Sequence, residues 1–255
     1  QLIDRTAQAL ETMAGLERHR GHFFKWYDTQ SLRPLHPAYI STVDSGNLAG
    51  HLLTLRPGLL ALLDRPILEP RWLEGLGDTL GILEEAAGDT APAVLARFRE
   101  ELDAACHSRP ATLAQARLLL DRLARFAETL VGDPGSEPET EAAWWAGALS
   151  RQCRIFRDEL AFLAPWTDLP EASGGLPELN AIPTLRALAG LELAFSTGLA
   201  SRAADTPPGQ AASRAELRRQ VAQGSGRAQA RIETIQRLAL QAGELADMEY
   251  GFLYD

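Results

Sequence analysis

Apolar residues recur every three or four positions along almost the whole chain, and that period limits the fold more than any motif does. An α-helix places residues i, i+3, i+4 and i+7 on one face, whereas a strand needs strict alternation. Leu48, Leu52, Leu55 and Leu59 form one such stripe, and Ile3, Ala7, Leu10, Ala14 and Leu16 another. Leu, Ala, Arg and Glu dominate while β-branched residues are scarce, which favours helices again. The pattern predicts helices over 3–18, from Asp44 onward until Pro66 and Pro70, and over 71–87, 92–106, 111–131, 138–164, 183–200 and 210–246. Gly88, Pro110, residues 132–135 and the stretch from Pro165 to Pro183 supply the stops. Pro57 is expected to kink its helix, and Gly224-Ser225-Gly226 to interrupt the last one. Residues 203–209 read as a linker, 19–43 as loop, and Phe252-Leu253-Tyr254 as the start of a strand. The expected fold class is all-α, with at least two thirds of the residues helical.

The balance of residues narrows the function. With 45% apolar residues in 255, the chain can bury a sizeable core. A net charge of -9 without a dense basic run is the wrong character for a phosphate backbone, so no nucleic-acid partner is expected. Cys106 and Cys153 form neither a disulfide framework nor a zinc motif. No cofactor or metal is called for, since His19 and His22 lack a third ligand at metal spacing. No apolar run reaches membrane-spanning length, so no direct membrane insertion is expected. The first residues already lie in a helical pattern and the last in an aromatic one, so both ends read as cuts from a longer polypeptide.

Two short segments carry chemistry. In Gly21-His22-Phe23-Phe24-Lys25-Trp26-Tyr27-Asp28-Thr29, four of five consecutive positions are aromatic. Trp and Tyr offer flat apolar faces with a polar tip, and a pyranose has one fairly apolar face with hydroxyls at its rim. Trp26, Tyr27 and Asp28 could match both surfaces. Alternatively, Phe23, Phe24 and Trp26 could simply plug one end of a core. In the second segment, Ser41 to His51, Asp44, Asn47 and His51 are spaced by three and four and share one helical face. A carboxylate, an amide and an imidazole together can accept from and donate to vicinal hydroxyls. Gly46 and Gly50 would let a backbone or ligand approach. Equally, Asp44 could be an N-cap and His51 a core histidine. Trp144-Trp145 reads as packing, and Glu84-Glu85, Glu100-Glu101 and Glu137/Glu139/Glu141 as solvated helix faces.

Together, Arg18 to Thr29, Tyr39 to His51 and Asp247-Met248-Glu249-Tyr250-Gly251-Phe252-Leu253-Tyr254-Asp255 resemble the start of the glycoamylase-like domain of cyclic β-1,2-glucan synthases. The family more often has Asp where this chain has Glu249. The resemblance implies the N-terminal portion of an (α/α)6-barrel, with first barrel helices in 1–65, a helical insert over 66–202, and a linker, return helix and next barrel block over 203–255. It implies binding of β-1,2-glucan and, in the complete domain, transglycosylation of linear chains into rings. The substrate-binding residues it suggests are Trp26, Tyr27, Asp28, Asp44, Asn47 and His51, with the catalytic carboxylates downstream of Asp255. The parent proteins are membrane-bound, and this segment would lie on the cytoplasmic side of the inner membrane. A helical interaction module docking to other domains of the parent synthase is the competing role.

Overall fold

The computed structural model describes residues 2–88, 92–131, 140–169, 177–202 and 211–254. The expected linker 203–209, the stop at 132–135 and Glu137 and Glu139 lie outside these. The described residues are 76% helical. The helices are α1 (Leu2–Gly15), α2 (Thr42–Ala61), α3 (Arg71–Ala87), α4 (Ala93–His107), α5 (Leu113–Leu130), α6 (Glu141–Leu163), α7 (Pro177–Asn180), α8 (Leu185–Ala189), α9 (Leu191–Arg202) and α10 (Ala211–Leu245). Four of the starts are fixed in the same way. The side chains of Ser41, Thr112, Thr140 and Thr184 accept from the backbone N–H three residues on, satisfying a donor the helix cannot.

The chain divides into two compact units, residues 1–65 with 230–255, and residues 66–229. In the second, α3, α4, α5 and α6 pack each on the next, and α6 returns against α3. Leu76, Leu80, Phe98, Leu120, Leu123 and Leu149 are fully buried. Trp166 lies in a 3-10 turn after α6 and is fully buried, its indole N–H donating to the Leu179 carbonyl at 3.2 Å. Burial pushes the Cys153 thiol up to about 12, whereas Cys106 is exposed.

The first unit holds α1, α2, the last part of α10, and a hairpin not expected from the sequence. Strands β1 (Arg18–His19) and β2 (His22–Phe23) pair antiparallel, with Arg18 opposite Phe23 and His19 opposite His22. The two turn residues, Arg20 and Gly21, both have positive φ (53° and 83°), as a tight hairpin of this hand requires. A Cβ on Gly21 would lie 2.7 Å from the Asp247 carbonyl oxygen, so the hairpin tip admits no side chain there. Two-residue strands are too short to show alternation, and Arg-Gly is not the usual turn pair.

Other boundaries differ from expectation for identifiable reasons. The stretch 183–200 is two helices, because the chain turns at Gly190. Residues Tyr250–Leu253 form a 3-10 turn rather than a strand. Their aromatic rings are spent on packing, with Phe252 against His19 and His22 and beneath the Arg20 guanidinium. Helix α2 runs through Pro57. Helix α10 continues unbroken through Gly224-Ser225-Gly226. There the Ser225 hydroxyl donates to the Leu188 carbonyl at 2.7 Å and accepts from the Glu192 N–H at 3.0 Å, holding the corner between α8 and α9. Gly224 is where α10 meets the end of α6, since a Cβ would lie 2.6 Å from the Leu163 carbonyl oxygen and 2.7 Å from the Trp166 ring.

The two glycines should therefore respond oppositely to alanine. A Cβ on Gly226 meets nothing within 4 Å, so Gly226→Ala should stabilise by about 0.5–1 kcal/mol through helix propensity. Gly224→Ala forces backbone and indole apart and should destabilise by about 1–3 kcal/mol. Thermal melts of the two variants check this; equal shifts would contradict the packing described.

Candidate functional site

The aromatic segment is held by main-chain hydrogen bonds rather than by a regular element. Asp28 N–H donates to the Arg33 carbonyl at 2.9 Å, and Leu35 N–H to the Trp26 carbonyl at 3.0 Å. Residues 26–28 thus run antiparallel to 33–35, and neighbouring side chains in such a ribbon point to opposite sides. Tyr27 points inward. Its hydroxyl donates to the Glu17 carbonyl at 2.7 Å and accepts from the Phe24 N–H at 2.9 Å. Burial raises its pKa, so it is a neutral phenol with both bonding directions used inside the protein. Trp26 consequently points outward and is 65% exposed, so it plugs no core among the described residues.

Asp28 is also occupied. Its Oδ1 accepts from the Ser31 N–H at 2.7 Å, the Ser31 hydroxyl at 2.8 Å and the Gln30 N–H at 3.2 Å. These bonds, the Ser31 N–H first, hold its pKa below the usual carboxylate value. Asp28 thereby organises the turn that carries Leu32 at φ 56°, and only Oδ2 remains for a ligand.

Helix α2 presents the second cluster. Ser45, Ala49, Leu52 and Leu59 are buried, while Asp44, Asn47 and His51 lie on the exposed side, so His51 is not a core histidine. Asp44 is not the N-cap. Ser41 takes that position and accepts from the Asp44 N–H at 3.2 Å, leaving the Asp44 carboxylate in the first turn, near the positive end of the helix, with no bond among the described residues. Gly46 and Gly50 face open space, since a Cβ on either would meet nothing within 4 Å. Among the described residues, no backbone makes the close approach their size would permit.

The structure therefore separates the six expected residues into two groups. Trp26, Asp44, Asn47 and His51 face solvent, whereas Tyr27 and Asp28 spend their polar groups on bonds within the protein. Among the described residues, no hydrogen bond, ion pair or ring contact joins the first segment's three to the second segment's three. Two neighbours escaped the sequence reading. Tyr39 is 56% exposed, and its carbonyl accepts from the Lys25 N–H at 2.8 Å. The Lys25 ammonium lies 5.8 Å from the Trp26 ring centre and 5.9 Å from that of Tyr39. Only the Tyr39 ring, a lone aromatic in a proline-containing loop, could have hinted at this.

Further back, the hairpin is locked to the end of the chain. His22 is fully buried, and its Nε2–H donates to the Glu249 carbonyl at 2.9 Å. Glu249 N–H donates to the Arg20 carbonyl at 3.0 Å, and the Glu249 carboxylate pairs with Arg20 at 3.0 Å on the surface. In the second unit, Trp144 is 49% exposed and packs edge-on against Trp145, whose N–H reaches Glu141 at 3.3 Å, so this pair is only partly the packing expected.

A pH dependence follows for Asp28. Because its folded pKa is lowered, its contribution to the turn is complete above the ordinary carboxylate range and disappears as pH falls through the lowered value. Carboxyl NMR should find Asp28 titrating below its ordinary value, and Ser31→Ala should move it upward by removing the hydroxyl bond. An unchanged titration in Ser31→Ala would show that the hydroxyl contributes nothing.

No helix among the described residues is long and apolar enough to cross a membrane. No protein-family profile matches the chain. The chain is similar to the cyclic β-(1,2)-glucan synthase NdvB of Rhizobium meliloti (strain 1021), at 36% identity over 170 residues. That match covers 60% of this chain and 6% of the relative, so the chain spans a small part of that protein's length. A chain that is mostly helical among its described residues, and whose surface carries the Trp26 segment and the Asp44 helix face, is thus related in sequence to a cyclic β-(1,2)-glucan synthase.

Proposed function

We propose that this chain is the N-terminal part of a glycoamylase-like, (α/α)6-barrel domain that binds β-1,2-glucan and, when complete, transglycosylates linear chains into cyclic β-1,2-glucan. The observation that carries the reading is the outward, solvent-open Trp26, fixed by two neighbours whose own polar groups are used internally. A ring that could have been buried is instead held out by Tyr27 and Asp28. Its neighbours in the parent would include the other domains of a membrane-bound synthase. The half-exposed Trp144 and the exposed Leu118 and Leu193 favour a second role for residues 66–202, docking to those domains.

Glycosyl transfer by retention or inversion uses two placed carboxyl groups. Asp28 is committed to its turn, and Asp44 has no carboxylate partner in the site described. The 255-residue chain should therefore give neither cyclised nor hydrolysed product from linear β-1,2-glucan. Turnover by the purified chain would place the catalytic pair within it and overturn this part of the proposal.

In the complete domain, Trp26→Ala should weaken glucan binding by roughly 1–3 kcal/mol, the scale of a lost aromatic contact. Asp44→Asn removes charge at nearly constant shape; the rate should fall while Tm hardly moves. Ser41→Ala is the control, since losing the actual cap should lower stability by about 0.5–2 kcal/mol and leave the activity of the folded fraction intact. Full activity in Asp44→Asn would show that the Asp44 charge takes no part in the reaction.

A further inference from the structure

The cluster around Lys25 is not accounted for by the residues already assigned. Lys25 is the only lysine in a chain of net charge -9. Among the described residues Lys25 makes no ion pair. It is held instead between two exposed rings from different segments, Trp26 at 5.8 Å and Tyr39 at 5.9 Å. The Lys25 N–H to Tyr39 carbonyl bond, 2.8 Å, ties those segments together at the same point. Both distances lie near the outer limit of a cation–π contact, about 6 Å. The ammonium therefore lies near both rings, and its three donors stay available among the described residues.

We infer that Lys25 and Tyr39 complete the saccharide-binding surface begun by Trp26: a neutral pyranose lies against the aromatic pair, and the Lys25 ammonium donates to its hydroxyl oxygens. This rests on the glucan reading above and deepens it, because it names the polar partner that Tyr27 and Asp28 no longer supply. Sugar hydroxyl oxygens accept readily, and a donor-only cation beside a flat apolar face complements a pyranose at both its face and its rim.

The single lysine makes the test direct. Selective 13C labelling of lysine in the 255-residue chain yields one side-chain spin system, and the nearby rings should displace its ε-methylene resonance upfield. Trp26→Ala and Tyr39→Ala should each relax that displacement in part. On titration with linear β-1,2-gluco-oligosaccharide, the Lys25 signal should move saturably with the same Kd as the indole signals. Lys25→Met and Tyr39→Ala should weaken binding by about 3–10-fold, and Tyr39→Phe, which keeps the ring, should bind within about twofold of the parent. If indole signals titrate while the Lys25 signal stays still and Lys25→Met binds normally, the inference is wrong and the glucan reading stands. If no signal moves at saturating oligosaccharide, both fall.

Discussion

The contact between the hairpin tip and the segment 247–250 sets the geometry of the first unit. Gly21 sits so close to the Asp247 carbonyl that no side chain fits, and the two segments exchange bonds through Arg20, His22 and Glu249. Most of its value lies in the buried part. The Arg20–Glu249 ion pair is exposed on both sides and contributes on the order of 1 kcal/mol or less. The His22 bond is different, because an imidazole with no exposed surface that lost its acceptor would keep an unsatisfied donor, at about 1–3 kcal/mol. Among the described residues the second ring nitrogen of His22 has no partner, so the Glu249 carbonyl is the bond that makes its burial tolerable. The rings of Tyr250 and Phe252 then enclose it.

The surface around Trp26 inherits its order from this contact. Strand β2 leaves the hairpin directly into Phe24 and Lys25, and the Tyr27 hydroxyl ties the following ribbon back to Glu17 just before β1. Trp26 is thus presented by a short, irregular segment braced at both its ends. The Asp28 turn closes the far side and lets residues 33–35 return alongside 26–28. A large exposed ring on a loose loop would lose much of its binding energy to ordering; here that ordering is done during folding.

Helices were legible in the sequence because each carries its own period and several carry their own cap. Leu76, Leu80 and Leu83 in α3 repeat on one face, as do Ala116, Leu119, Leu120 and Leu123 in α5, and Ser or Thr stands at the start of several helices. What escaped was set by partners remote in sequence. Gly224-Ser225-Gly226 looks like a break, but Ser225 bonds to Leu188 and Glu192, and Gly224 leaves the space taken by Trp166. The 250–253 segment looks like a strand until the Phe252 ring finds His19 and His22. Of the candidate site, the residue types were readable and the roles were not. Nothing local says that Tyr27 turns inward while Trp26 turns outward, that Ser41 rather than Asp44 caps α2, or that Lys25 and Tyr39 meet.

His22 and Glu249 are 227 residues apart in the chain. A ribosome adding about 5–20 residues per second delivers the second roughly 10–50 s after the first. Residues 66–229 are continuous and can complete their own core during that interval, whereas the hairpin must wait with an uncovered imidazole and neighbouring phenylalanines. The order of synthesis thus makes the inserted unit the first to finish and the unit carrying Trp26 the last. The hairpin that leads into the Trp26 segment is thus, for those seconds, without the residues that cover its buried side.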